Sequence, residues 1–548
     1  MSIEYFVEGK VSSQTEGDQL AFSKGNIAHN GIKNVLQNGT NTGVSYNNPS
    51  QVNPNDKPIN TINVSLNLFF DGTLNNKTNT EQGLSKDKKS GSYANDYSNV
   101  ARGYDAINPT ADNQVSWYIE GIGTVDGKSD NDTLGLPVRG AGLGVAERGI
   151  KAKVTKGCIK GAEAIKNNFG SKEIDVLSVN VYGFSRGAAA ARHFIKVSTT
   201  APQTSKTIGG GLTVYPPDFY ELSKAEEKKD EKAIEQILNI AKDKTDSYLL
   251  NFGYFGACLV SNNLKIKKIK FNFVGLYDTV ASYGANHRGN WFVKNDSEQL
   301  GLNAVQNAHF IFQIASADEF RDNFSLTNIE STGTYGLQFT FPGVHSDIGG
   351  GYVDGEKENV LIYKASNDKK SCEKYRNLLI EEGWYDPDQI SIVTKTYPTR
   401  FGVQYNYELW GNRDLSNHYD KLPLHYMFYF SDLFGVKYLD MQRKKNQITD
   451  DTVTKFSSQL QKYVEKCVDL RNSFVKKMQS GQKISSAEYV DKAKTYSYLN
   501  FINMNTDDLK DLRKGYLHWS ANLDAFGMGP IVSGVHPSSE RKRTILDG

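Results

Sequence analysis

The chain has four cysteines in 548 residues, Cys158, Cys258, Cys372 and Cys467, and no two of them form a C-x-x-C pair. That argues against a disulfide framework or a zinc site. No apolar run approaches the roughly 18 residues that would span a bilayer. The opening residues, MSIEYFVEGK, lack a basic stretch followed by an apolar core, so no Sec-type signal is expected. Synthesis in the cytoplasm, with export by some other route, is the expectation. Charge of one sign is also missing: 64 basic against 62 acidic residues leave a formal +2, which gives no reason to expect nucleic acid as a partner. What remains is ordinary for a chain with a sizeable core, 38% hydrophobic and 23% charged.

Four zones follow one another. Residues 1–60 are rich in Asn, Gly, Ser and Gln and read as a loop-rich extension. From residue 61 to 359 apolar strands such as TINVSLNLFFDGT, DVLSVNVYGFS, KIKKIKFNFVGLYDTV and LQFTFPGVHSDIGGGY alternate with helical stretches such as AERGIKAKVTKGCIKGAEAIKNNF. That alternation predicts an α/β fold with a mostly parallel sheet. Within it, residues 203–262 read as an insertion carrying a charged helix, and as a candidate cap. Residues 360–510 read as a largely helical accessory region in reach of a membrane, and 511–548 as a C-terminal segment packed on the core. No internal repeat is visible.

The stretch Gly183-Phe184-Ser185-Arg186-Gly187 lies between a strand and an alanine-rich helix. G-x-S-x-G in that setting is the nucleophile elbow of α/β-hydrolases. The sharp turn strains the serine backbone, and Gly183 and Gly187 make room for it. The serine then stands at a helix N-terminus, which favours a developing oxyanion. The alternative is an ordinary turn with a capping serine.

Serine needs a histidine base, and the histidine needs an orienting carboxylate. Of the nine histidines, seven follow Ser185 outside its own helix: His287, His309, His345, His418, His425, His518 and His536. Only His345 sits among glycines at the end of an expected strand, in FPGVHSDIGGGY, with His518 in reserve. Asp278 closes the apolar strand FNFVGLYDTVAS, at the carboxyl end where such sheets build sites. A turn aspartate and a structural loop histidine are the competing readings. SADEFRDNF (residues 316–324) reads as a helix with an Asp318–Arg321 ion pair, the alternative being a scaffold for the site loops.

FFDGTLNN, YGFSRGAAAAR, FVGLYDTVAS, ASADEFRDNF and FPGVHSDIGGGY, in that order, resemble the DUF2235 family of α/β-hydrolases, which includes the Tle1-type phospholipase effectors of bacterial type VI secretion. KLPLHYMFYFSDLFGV and LRKGYLHWSA are similar to its looser later motifs. The resemblance covers about residues 61–352, with pieces to about 520. It implies a Ser185–Asp278–His345 triad. It also implies hydrolysis of phospholipid acyl esters in a rival cell's periplasm, a secretion-system carrier and a cognate immunity protein. No metal or other cofactor is expected. Residues 1–60 match nothing assignable. The 203–262 insertion lengthens the spacing from Ser185 to Asp278, so lid contacts there do not carry over.

In such folds a loop after an early strand gives the second oxyanion donor. Gly72 and Thr73 are therefore expected to present backbone N–H groups beside that of Arg186. Asp71 and Asp347 are expected to brace the site; the two acids also raise a metal alternative that no histidine cluster supports. The apolar run Tyr248–Val260 reads either as core or as a lid whose Phe252 and Phe255 touch lipid. Two function classes stay open: a serine esterase, whether phospholipase, other lipase, carboxylesterase or peptidase, and a non-catalytic adaptor on a hydrolase scaffold.

Overall fold

The alternating run at residue 61 forms strand β1 (Thr61–Phe70), in which Leu66, Leu68 and Phe70 turn to one core and Phe69 to the other. The structure, a computed structural model, describes residues 61–86, 91–111, 113–130, 148–220, 235–281, 296–400, 402–501, 506–525, 528–530, 532–533, 536–537 and 541–548. The expected N-terminal extension lies outside them.

Strands β2 (Gln114–Ile119), β3 (Glu173–Phe184), β4 (Lys265–Tyr277), β5 (Phe310–Ser316) and β6 (Gly336–Phe341) complete a six-stranded sheet in the order β6-β5-β4-β3-β1-β2. The pairs β1–β2, β3–β4, β4–β5 and β5–β6 are all parallel. The fold is α/β, as the strand–helix alternation predicts. The order reverses direction between β1 and β3, and such a switch point opens a crevice at the strands' carboxyl ends.

Each face of the sheet has its own core. On one, helices α1 (Ile150–Phe169), α2 (Arg186–Val197) and α3 (Gly253–Ser261) cover Leu66, Leu68, Val179 and Leu276. The other is aromatic, with Phe69, Tyr182, Phe273, Phe310, Phe312 and Phe339. It is closed by helices from much later in the chain. Phe430 of α4 (Lys421–Leu433) lies 4.5 Å from Phe312, and Val453, Phe456, Leu460 and Tyr463 of α5 (Asp451–Gln479) join the same core. These helices form one of the three layers, where an accessory region was expected, and residues 62–548 form one compact unit.

Three further regions add to or depart from expectation in part. Beside its helices, residues 360–510 hold a sheet that was not expected: β7 (Glu356–Ser366), β8 (Ile390–Thr399) and β9 (Gly402–Leu415) run antiparallel in the order β7-β9-β8. In the 203–262 insertion the expected charged helix falls mostly on 221–234, outside the described residues, while Leu238–Ile240 is a strand of a small three-stranded sheet. The Tyr248–Val260 run is core from Gly253 onward, while Tyr248 and Asn251 before it are exposed. Every residue from Gly253 to Val260 is buried, Phe255 fully so, with its ring 5.3 Å from that of Phe194. Phe252 is half-buried against Phe271. The buried side of this run faces the sheet layer, so the Phe255 ring is not placed to meet lipid. Among the described residues no helix is long and apolar enough to cross a membrane.

Candidate active site

The carboxyl ends of five strands converge on one place. β1 delivers Asp71, β3 Ser185, β4 Asp278, β5 Ser316, and β6 leads through Pro342–Val344 to His345. Ser185 stands between β3 and α2 with φ 58° and ψ −127°, a left-handed conformation costly for a residue with a side chain. Crowding explains the flanking glycines. A Cβ at Gly187 would come within 2.2 Å of the Asp71 carbonyl oxygen and 2.3 Å of that of Phe70; one at Gly183 would meet the Gly187 carbonyl oxygen at 2.4 Å. The elbow is thus pressed against the end of β1.

Asp278 also has positive φ, 42°, and is fully buried. Its Oδ2 accepts from His345 Nδ1 at 2.5 Å, and its Oδ1 accepts from the Ser316 backbone N–H at 2.9 Å. A carboxylate only accepts, so Nδ1 carries the imidazole proton and Nε2 is left with a lone pair able to accept one. Nε2 is buried and has no hydrogen-bond partner among the described residues. The ring lies between Phe184, 4.7 Å away, and Phe324, 5.0 Å away. Since Phe184 precedes Ser185, the base packs against the elbow itself. The Ser185 Oγ–Nε2 hydrogen bond is not formed here; such bonds commonly tighten only when substrate is present.

Burial pulls the Asp278 carboxyl upward, but Arg543 and then His345 outweigh it and hold the group below the usual carboxylate range. Burial lowers His345, against the upward pull of Asp278. The imidazole is therefore neutral at ordinary pH, as a general base requires.

Asp71 and Asp347 each hold a loop beside this place. Asp71 accepts from Gly72 N–H at 2.7 Å, Ser98 Oγ at 2.6 Å and Tyr118 O–H at 2.5 Å. Burial raises it to about 6 against those bonds. Because the Gly72 N–H is spent on Asp71, it is not available to an oxyanion, which corrects that expectation. The Arg186 side chain folds back to the same loop, Nε donating to Thr73 Oγ1 at 2.8 Å. Asp347 holds the turn that carries His345: its Oδ2 accepts from Val344 N–H at 2.8 Å and its Oδ1 from His518 Nδ1 at 2.7 Å. His518 is thus paired with Asp347 and not with the Asp278 dyad.

Residues 316–324 form no helix, and the expected Asp318–Arg321 pair is absent. Arg321 pairs instead with Glu319 at 2.8 Å, while Asp318 accepts from Gly343 N–H at 2.7 Å. Glu319 also accepts from His345 N–H at 3.3 Å and from Ser520 Oγ at 3.0 Å. The stretch braces the histidine loop. The sequence reading also missed Arg543, which grips Asp278 through two hydrogen bonds of 2.7 and 2.8 Å. Nothing in SSERKRTILDG distinguishes that arginine from its neighbours.

The family model for the type VI secretion phospholipase effector Tle1-like catalytic domain matches residues 65–370, more than half of the chain. The chain belongs to that family. Among solved structures it is similar to the Tle1 effector bound to the VgrG spike from the type 6 secretion system, 18% identical, with 90% of this chain and 95% of that one covered and a TM-score of 0.51. At that identity the likeness is one of fold. A further structure, an uncharacterized protein from Pseudomonas aeruginosa, is 16% identical, with 84% of this chain and 65% of that one covered and a TM-score of 0.35. No protein of curated function matches the sequence. The family's type VI phospholipase effector character is therefore this chain's as well.

Proposed function

We propose that the chain is a serine-dependent phospholipase of A1 or A2 type that cleaves acyl esters of membrane phospholipids through Ser185, His345 and Asp278. The observation that carries this reading is the buried 2.5 Å Asp278–His345 bond beside a serine held at positive φ on a G-x-S-x-G turn.

In this mechanism Ser185 Oγ attacks the acyl carbonyl carbon while His345 Nε2 takes its proton. Asp278 keeps the proton on Nδ1 and stabilises the imidazolium. The oxyanion is met by the backbone N–H groups of Arg186 and Thr73, aided by the N-terminus of α2. His345 then returns the proton to the departing lysophospholipid alkoxide. Water, activated by the same nitrogen, releases the fatty acid from the acyl-enzyme and restores Ser185.

The wider role is an antibacterial effector. It would be loaded on a spike-type carrier, held in check in the producer by an immunity protein, and active at the membrane in the target-cell periplasm. Support comes from the family and from a fold neighbour whose structure holds it on a VgrG spike.

The test is product analysis on phospholipids with distinguishable sn-1 and sn-2 chains. Wild type should release fatty acid from one position and Ser185→Ala none. Fatty acid release undiminished in Ser185→Ala would end the proposal.

A further inference from the structure

A buried carboxylate that orients a histidine must be ionised and fixed in direction, or the histidine loses its tautomer. Asp278 is fully buried, and His345 Nδ1 and Ser316 N–H supply only two donors. The remaining acceptor positions are filled from 265 residues away. Arg543 NH1 donates to Oδ1 at 2.7 Å and NH2 to Oδ2 at 2.8 Å, a planar fork matched to the carboxylate. The guanidinium is itself held on the far side, Nε by the Phe324 carbonyl at 2.7 Å and NH1 by Ser316 Oγ at 2.9 Å.

Its backbone is fixed too. Ile545–Leu546 pairs in parallel with Leu326–Thr327, and Thr327 N–H donates to the Thr279 carbonyl at 2.9 Å, one residue beyond Asp278. Gly548 N–H reaches Asn328 Oδ1 at 3.1 Å. Residues 541–548 therefore run as a strap across the turn that carries the acid. Arg541 anchors the strap separately, its NH2 donating to Glu382 Oε1 at 2.6 Å.

We propose that Arg543 is a positioning residue of the catalytic centre, which it completes by locking the Asp278 carboxylate toward His345 from the C-terminal strap. This rests on the triad reading above. Arg543 does not touch substrate; it acts through Asp278. Two consequences follow from its charge. It keeps Asp278 ionised, and it partly cancels the negative field that would otherwise draw a second proton onto His345. The charged groups that face His345 are Asp278, Glu319, Arg321 and, beyond the carboxylate, Arg543. Removing Arg543 unshields Asp278 and favours the imidazolium, and it also eases protonation of Asp278. Both effects move the acid limb of activity to higher pH.

The experiment compares full-length wild type, Arg543→Met, Arg543→Lys and Arg541→Met on a short-chain p-nitrophenyl ester across pH. A parallel NMR titration of the His345 imidazole is run in each. Outer partners that orient metal-ligating histidines are worth about 10- to 100-fold, and a loss of the same order is expected here. Arg543→Met should lower kcat by about that factor with KM little changed, and should raise both the acid limb and the NMR titration midpoint of His345. Arg543→Lys should recover part of the loss, as should millimolar guanidinium added to Arg543→Met. Arg541→Met should leave the pH profile in place. Wild-type kcat with an unmoved acid limb in Arg543→Met overturns the proposal. So does loss of activity in Arg541→Met and Arg543→Met alike, in step with lowered melting temperature and with the His345 midpoint unmoved. Failure of the serine-hydrolase reading would look different: wild-type hydrolysis would be indifferent to Ser185→Ala, while the NMR midpoint would still respond to Arg543.

Discussion

Val280 donates its backbone N–H to the carbonyl oxygen of Ser185 at 3.3 Å. This bond joins the turn after β4 to the turn after β3, so the elbow and the acid's turn form one piece of backbone. Each holds a non-glycine residue at positive φ, Ser185 at 58° and Asp278 at 42°. Strain of this kind persists only where the surroundings over-determine it, and here each turn helps to hold the other.

The elbow's strain can be measured apart from its chemistry. Ser185→Gly and Ser185→Ala should both lose about four to six orders of magnitude in kcat. Glycine tolerates the left-handed backbone, so Ser185→Gly should be more stable than Ser185→Ala by about 1–3 kcal/mol. Urea denaturation of the two proteins checks this; equal midpoints would mean that the turn relaxes without cost.

Asp278→Asn should lower kcat by about 10⁴-fold, because the amide can donate to His345 and favour the wrong tautomer. It should also destabilise the fold by about 3–5 kcal/mol, since Arg543 is left as a buried cation without its anion. The double variant Asp278→Asn/Arg543→Met should recover stability without recovering activity. Thermal melts and ester hydrolysis on the same samples separate the two effects.

Asp71 makes a pH prediction with a definite sign. Its folded pKa is raised to about 6, so its contribution to stability is fully present below the ordinary aspartate range and lost as pH rises through about 6. Asp71→Asn lacks this dependence. Relative to wild type, the variant should gain stability between pH 4 and pH 7, by up to about 3 kcal/mol. A difference between the two that stays flat across that range would show that Asp71 titrates normally.

Phe255→Asp should abolish folding, because it puts a charge where a fully buried ring packs on Phe194. Hydrolysis of vesicles and of a short soluble ester should fall together, with loss of the cooperative melt. Selective loss of vesicle hydrolysis in a stable Phe255→Asp protein would restore the lid reading of this run.

The elbow was legible in the sequence because its logic is local: five residues, a preceding strand, a following helix. His345 and Asp278 were legible because each closes an apolar strand, and strand ends are where parallel sheets put chemistry. Residues 316–324 misled because Asp and Arg three apart fit a helix, while their partners Gly343 and Glu319 belong to a loop. The Tyr248–Val260 run is mostly apolar and aromatic, so its composition could not say whether it met the sheet or a membrane. Arg543 left no trace, since its partner is 265 residues away and its neighbours are equally basic.

The aromatic face of the sheet has a consequence for the order in which the chain can mature. Phe273, Phe310, Phe312 and Phe339 are all made before residue 340, but the helices that cover them lie at 421–433 and 451–479. During synthesis the nascent sheet must wait, with a greasy wall open to solvent, for about 80 residues or more to emerge. At about 5–20 residues per second this is an interval of seconds in which a chaperone or another nascent chain can engage that wall. A fragment ending at residue 370, the limit of the family match, never leaves that interval, and should be recovered as aggregate rather than as a small hydrolase.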